Sequence, residues 1–182
     1  IGNNAGTAQV KSAMNETKSH FLDYGQSIED VRHYLTEQQT QQRHHRVVAQ
    51  PSTTFIPSMW LLSTSVASAK KAGAQGMGYT LGTFLLPNAK AIDKAKDSVK
   101  MYRDAFQPSS LNMVPSVMIT VFIALADSAE EAETLAQSLD IWLLGKEQFA
   151  EFERMPSPET ARSYHCTEKD ERQIAQSRAR II

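Results

Sequence analysis

Short apolar runs alternate along this chain with longer segments in which apolar residues recur at helical spacing, and this alternation constrains the fold most. The runs at residues 59–62 and 79–81, each bounded by Ser or Gly, predict short strands, the first of them buried on both faces. Residues 116–125, rich in apolar and β-branched side chains, predict the strongest strand. Parallel strands joined by helical crossovers occur in doubly wound sheets and in (β/α)8 barrels, so the sequence predicts an α/β fold of one of these kinds.

The segments around these strands have the spacing and the end signals of helices. Ser27 and Asp30 form a variant of the Ser-x-x-acid capping box at the start of an amphipathic helix. The alanine-rich residues 63–75 predict a closely packed helix that ends at Gly76. Ser128 begins a Ser-x-x-Glu capping box, and a further helix is predicted to follow it.

Two polar stretches do not follow this alternation. Residues 38–56 contain a run of glutamine, arginine and histidine and predict a polar connecting loop. Residues 147–173 are highly charged and contain two prolines, so an irregular charged segment is expected there. Three complete strands and two partial ones at the ends are too few for a barrel of about 250 residues. We therefore expect the 182 residues to be a piece of a longer polypeptide.

Charge and cysteine content exclude several classes of partner. Nineteen basic and twenty acidic residues give a net charge of -1, which provides no overall field for nucleic acid or an anionic membrane. No apolar run reaches the roughly 20 residues that a membrane-spanning helix needs. The single cysteine cannot form an internal disulfide, and no Cys/His group has zinc spacing. We expect a cytoplasmic protein that binds no metal.

Hydroxyl side chains cluster where the predicted strand 59–62 meets the next helix. Thr64, Ser65 and Ser68 lie at this junction, and ligands of parallel α/β proteins bind at the carboxyl ends of strands. Their hydroxyls, with the free N–H groups of the first helical turn, could hold a phosphate. The same residue types are also preferred N-caps, and the spacing alone favours that second interpretation.

Other chemistry-bearing residues give weaker signals. The adjacent histidines at 44–45 lie in the polar stretch, and such pairs are more often solvated than metal-bound. The Tyr-His-Cys segment at 164–166 contains the residue types of a Cys/His nucleophile pair, but such pairs rarely come from sequence neighbours. Trp60 and Trp142 are most simply core residues. No catalytic residue is therefore assigned.

Several short motifs resemble segments of the bacterial luciferase-like flavin monooxygenase family, and they occur in the family's order over most of the chain. Residues 57–76 resemble its strand, Ser/Thr turn and glycine-ended helix. Residues 1–7 resemble its Gly-Ile-Gly-Arg-Ala-Pro-Gly-Thr segment, and residues 102–109 resemble its Tyr-Arg-x-x-Phe-x-Pro-Ser segment. Residues 117–133 resemble its seventh strand, the acidic turn after it and the Glu-Glu-Ala start of a helix.

The resemblance implies a (β/α)8 TIM-type barrel that uses reduced flavin mononucleotide (FMN) and molecular oxygen to oxidise a small organic substrate such as an aldehyde. By position, Thr64, Ser65 and Ser68 would hold the flavin phosphate. Asn3 stands where family members often have an arginine, and its neutral amide replaces a charged, bidentate phosphate partner, which implies weak flavin binding. The motifs place the chain between the end of the fourth strand and the start of the eighth. Residues 1–182 are therefore expected to form one partial barrel domain, about the second half of the barrel.

The expected partners follow from this partial barrel. Unpaired strand edges favour association, so a homo-oligomer is expected, and a flavin reductase is a possible partner. One alternative is a non-catalytic or truncated luciferase-like barrel protein that acts as a structural or regulatory subunit. Another is a phosphate-binding domain of the flavodoxin type.

Overall fold

The computed structural model describes residues 24–35, 55–86, 88–145 and 154–178. Within these ranges the chain forms a mixed α/β structure, as the alternation predicts. No helix in them combines the length and the apolar composition needed to cross a bilayer. In chain order the elements are α1 (Tyr24–Leu35), β1 (Trp60–Ser63), α2 (Val66–Ala74), β2 (Gly78–Gly82), a 3-10 turn (Thr83–Leu85), α3 (Ala89–Ala105), β3 (Val117–Thr120), α4 (Ala129–Leu143), α5 (Pro158–Ser163) and α6 (Glu168–Ser177).

The three strands form one parallel sheet in the order β1-β2-β3. The parallel arrangement expected from the helical crossovers is therefore confirmed. Leu61, Tyr79 and Val117 are partners across the sheet, and Ser63 pairs with Leu81 at its carboxyl edge. All five residues of the central strand β2 are buried. Strand order thus follows chain order over the described sheet.

Helices α2 and α3 pack against each other and cover one face of this sheet. Leu61, Tyr79 and Val117 lie on the covered face because alternate residues of a strand point the same way. The helices approach closely at Gly73, where an added Cβ would lie 2.5 Å from the Tyr102 carbonyl oxygen. The alanine-rich composition that predicted a closely packed helix is explained by this contact.

The opposite face of the sheet is less covered. The Trp60 indole lies over Gly78, where an added Cβ would collide with the ring, so Trp60 is a packing residue. Leu62 is 41% exposed and Met118 is 49% exposed. The prediction that residues 59–62 are buried on both faces is therefore wrong, because among the described residues the helices cover one face only.

Strand β3 is shorter than the sequence predicts. Residues 116–125 are apolar enough for a long strand, but β3 ends at Thr120, which pairs with Gly82 at the end of β2. Beyond that point β2 offers no further backbone partner. Ile123 and Leu125 lie beyond β3 and are exposed. The length of the neighbouring strand, not the composition of the segment, sets this boundary.

The helix ends agree in part with the predicted signals. Gly76 adopts a φ of 61° after α2, as expected for a glycine that ends a helix. The Ser128 hydroxyl accepts from the Glu131 N–H at 3.2 Å and caps α4. The cap expected at Ser27 is wrong, because Ser27 lies within α1, which already includes Tyr24.

The charged segment 147–173 is more ordered than expected. It contains all of α5 and the first half of α6, and Thr167 and Asp170 form a reciprocal capping box at the start of α6. These helices pack on α4 around a small second cluster that includes Trp142 and Ile174. The prediction of an irregular segment is therefore wrong where these helices lie. The loop predicted at 38–56 falls outside the described residues except at its last two positions.

Candidate functional site

Residues 63–68, the 63–68 turn, connect the carboxyl end of β1 to the first turn of α2. Ser65 is the N-cap of α2, and its hydroxyl accepts from the Ser68 N–H at 3.2 Å. The Ser65 N–H in turn donates to the Ser63 hydroxyl oxygen at 3.1 Å. Ser65 is exposed, whereas Thr64 and Ser68 are half-buried. The structure brings these three predicted site residues together, and it shows the capping role for Ser65.

The turn leaves hydrogen-bond donors directed beyond the end of the helix. The first intrahelical bond of α2 runs from the Ala69 N–H to the Ser65 carbonyl. Helical geometry therefore gives the N–H groups of Val66 and Ala67 no carbonyl acceptor within the helix. The first turn of α2 contains no acidic side chain, so nothing there neutralises the positive end of the helix dipole. This arrangement favours an anion over a cation.

A buried tyrosine, Tyr79, holds the turn in place through a hydrogen bond. The Tyr79 hydroxyl donates to the Ser63 carbonyl oxygen at 2.9 Å and lies 3.0 Å from the Ser98 hydroxyl of α3. The Tyr79 side chain has no exposed surface, and this burial raises the pKa of its phenol. The group therefore stays protonated and able to donate at neutral pH. Sequence reasoning missed Tyr79, and its only signal was a polar hydroxyl within a buried strand.

The ends of β2 and β3 place further groups at the same edge of the sheet. Thr83 follows β2 directly, and its hydroxyl donates to the Thr120 carbonyl at 2.7 Å, which joins the two strand ends. The Phe84 and Phe122 rings meet edge to face, with centroids 5.7 Å apart. Carboxyl ends of parallel strands share one edge of a sheet, so the edge combines a polar turn with an aromatic pair.

The remaining sequence candidates lie either outside the described residues or in another part of the described structure. Asn3 and the histidines at 44–45 lie outside the described residues. His165 is exposed, with its Nδ1 3.1 Å from the Ser163 carbonyl oxygen, and Cys166 packs against the small second cluster. Across the described ranges, no group of three or more His, Cys, Asp or Glu side chains is arranged to hold a metal ion.

An ion pair between buried Asp140 and partly exposed Arg178, which sequence reasoning also missed, joins α4 to the end of α6. The Asp140 side chain is 4% exposed and contacts the Arg178 guanidinium, which also binds the Glu133 carboxylate through both terminal nitrogens. Burial raises the pKa of Asp140, and the charge of Arg178 opposes that shift. The pair holds α6 on α4 and contributes nothing to the 63–68 turn.

Comparison with known proteins gives a family match over most of the chain. The family model described as luciferase-like monooxygenase matches residues 22–181. Two relatives from Bacillus subtilis strain 168, YceB and YwcH, both carry the description "uncharacterized protein". YceB is 30% identical over 97% of this chain and 52% of its own length, and YwcH is 33% identical over 87% and 46%. The chain therefore spans about half the length of the curated relatives it matches.

A solved structure has the same arrangement of elements. The crystal structure of apo-MsnO8 superposes with a TM-score of 0.66 at 22% sequence identity. The match covers 86% of this chain and 44% of the solved chain. At this level of identity the comparison supports a common fold.

Proposed function

The chain belongs to the luciferase-like monooxygenase family, and we infer that it contributes the flavin-phosphate site of a flavin-dependent oxidoreductase. The family expected from the short motifs is thereby confirmed. The proposed reaction uses reduced FMN and molecular oxygen to oxidise a small organic substrate such as an aldehyde. The observation that carries this proposal is the 63–68 turn, a capped helix start with free donors at the carboxyl edge of a parallel sheet.

The described sheet supports the proposal that the protein forms a (β/α)8 barrel. Strand order follows chain order, and α2 and α3 pack on the same face of the sheet. A barrel requires both properties in every successive βαβ unit, whereas a doubly wound sheet reverses direction at its switch point. The described residues contain no such reversal. About half of the barrel is proposed to come from this chain.

The donors of the turn fit a phosphate monoester. The Val66 and Ala67 N–H groups and the Thr64 and Ser68 hydroxyls would bind phosphate oxygens, while Ser65 holds the first turn of α2 in place. All of these donors are neutral, and Asn3 is proposed to add one more neutral amide. Neutral donors bind phosphate less tightly than an arginine does, so we expect modest affinity. Reduced flavin, when bound, would supply the electrons that reduce one oxygen atom of molecular oxygen to water, while the other oxygen atom enters the substrate.

Two partners are part of this proposal. A flavin reductase would supply the reduced FMN that each turnover consumes. We expect these 182 residues on their own to self-associate, because the apolar side chains of Leu62 and Met118 on the uncovered face of the sheet are exposed without the rest of the barrel. Light scattering on the purified protein tests the second point, and a compact monomer at micromolar concentration would contradict it.

The function is tested by titrating the full-length protein with FMN and by following oxygen consumption with reduced FMN and a saturated aldehyde. We expect FMN to bind and the aldehyde to be oxidised to the acid faster than with free reduced FMN alone. FMN binding without aldehyde oxidation would favour the alternative of a structural or regulatory subunit. Absence of FMN binding would overturn the proposed site.

A further inference from the structure

Ser63 connects the 63–68 turn to the protein interior through two hydrogen bonds. Its hydroxyl oxygen accepts from the Ser65 N–H at 3.1 Å, and its carbonyl oxygen accepts from the Tyr79 hydroxyl at 2.9 Å. Ser65 then caps α2 through the Ser68 N–H. A continuous chain of hydrogen bonds therefore runs from buried Tyr79 to the donors at the start of α2.

The phenol is itself fixed from two sides. Its ring stacks on Tyr102 with the centroids 5.5 Å apart, and its hydroxyl lies 3.0 Å from the hydroxyl of Ser98, which donates to the Ala95 carbonyl. Tyr79, Tyr102 and Ser98 each have no exposed surface. The Ser63 carbonyl is consequently held by a group that neither water nor a ligand can reach.

We propose that Tyr79 is a positioning residue for flavin-phosphate binding, which sets the orientation of the 63–68 turn through the Ser63 carbonyl without touching the ligand. This inference rests on the proposed function, because it presumes that the turn binds the phosphate. An anion site built from neutral donors depends on donors that are already oriented before the ligand arrives, and the Tyr79 hydroxyl supplies that orientation. Its effect should therefore be specific to the phosphate end of the flavin.

The test compares FMN with riboflavin, which has the same ring system and no phosphate, in the full-length protein. Tyr79→Phe removes only the hydroxyl and so frees the Ser63 carbonyl, and we expect FMN affinity to fall about fivefold because a smaller fraction of the protein has the turn oriented for the phosphate, with riboflavin affinity unchanged. Tyr102→Phe is the matched control. It removes an equally buried hydroxyl that binds the Met77 carbonyl, at the other end of the sheet. The phenylalanine ring keeps the stacking contact with Tyr79, so FMN affinity of this variant should stay within about twofold of wild type.

Each outcome has a distinct meaning. Equal loss of FMN and riboflavin binding in Tyr79→Phe, or no loss of either, would overturn the positioning role. Wild-type protein that binds FMN no more tightly than riboflavin would reject the phosphate site itself, and the positioning role with it. If Tyr79→Phe does not fold, Ser98→Ala provides the test. This variant leaves the Tyr79 phenol in place and removes only the contact between its hydroxyl and the Ser98 hydroxyl. A smaller loss confined to FMN supports the proposal, and unchanged FMN binding contradicts it.

Discussion

Tyr79 and Tyr102 stack with their ring centroids 5.5 Å apart, and yet their hydroxyls serve opposite ends of the sheet. The Tyr79 hydroxyl reaches Ser63 at the carboxyl end of β1. The Tyr102 hydroxyl donates to the Met77 carbonyl and accepts from the Ser116 N–H, just before β2 and β3 begin. One aromatic pair therefore makes hydrogen bonds at both ends of the parallel sheet.

Replacing Tyr102 by phenylalanine should destabilise the protein without altering the 63–68 turn. The change leaves the buried Met77 carbonyl and the Ser116 N–H without the hydroxyl that bridges them at 2.9 and 3.0 Å. We expect the free energy of unfolding to fall by about 2 kcal/mol. Urea denaturation followed by circular dichroism measures this change. Tyr34→Phe, on a half-buried side chain of α1, is the control and should shift the midpoint far less.

The contact between α2 and α3 at Gly73 should not tolerate a methyl group. An added Cβ would lie 2.5 Å from the Tyr102 carbonyl oxygen and 3.1 Å from the Phe106 amide nitrogen. Both are backbone atoms, so relief requires the two helices to separate. Gly73→Ala should lower the unfolding free energy by about 2 kcal/mol, although alanine is the better helix former. Ala74→Ser at the exposed next position should change it by less than about 0.7 kcal/mol. A neutral or stabilising Gly73→Ala would contradict the close approach.

Removing Arg178 should be costly because it leaves a buried carboxylate alone. Asp140 is 4% exposed on its side chain, and Arg178 is the cation beside it. Arg178→Ala should cost about 3 kcal/mol at pH 7. Arg162→Ala removes an exposed partner of Glu159, 3.5 Å away, and should cost less than about 1 kcal/mol. Thermal unfolding of both variants gives the comparison.

The loss of stability caused by Arg178→Ala should also depend on pH, and it should be larger at neutral pH than in acid. Burial raises the pKa of Asp140, and loss of the Arg178 charge raises it further. A folded protein with a raised carboxyl pKa binds more protons than its unfolded form, so stability falls as pH rises above the usual carboxyl pKa. The difference between wild type and Arg178→Ala should therefore be small in acid and grow towards neutral pH. If the difference in stability between the two proteins instead shrinks from acid to neutral pH, the ionised Asp140 carboxylate is not its cause.

Local signals in the sequence predicted the parts of the fold that depend on neighbouring residues. Ser65 as a cap and Gly76 as a helix end are confirmed, because each is decided within a few residues of the chain. The end of β3 at Thr120 could not be predicted, because it depends on where β2 ends. Thr167 and Asp170 have the spacing of a Thr-x-x-acid cap, a local signal that the prediction of an irregular segment overlooked.

In the candidate site, too, the sequence predicted features that depend on neighbouring residues and missed those that depend on distant ones. The hydroxyls of the 63–68 turn were visible as a cluster in the sequence. Tyr79 lies 16 residues from Ser63 and was not singled out, because the hydrogen bond between them exists only once β1 and β2 pair. The Asp140–Arg178 pair likewise needs α6 folded back onto α4. Both features were missed because they depend on contacts between segments that are distant in the chain.

The role of Ser65 can be separated into capping and ligand binding by two substitutions of nearly equal size. Asparagine and aspartate are both good N-caps, so Ser65→Asn and Ser65→Asp should leave α2 and the unfolding free energy close to wild type. They differ by one negative charge at the exposed edge where the phosphate is proposed to bind. Ser65→Asp should therefore bind FMN about tenfold more weakly than Ser65→Asn, while riboflavin binds both equally. The contrast should diminish in high salt, because the site is solvent-accessible. Equal FMN affinity in the two variants would show that the phosphate does not bind at this turn. Ser65 would then be a helix cap only.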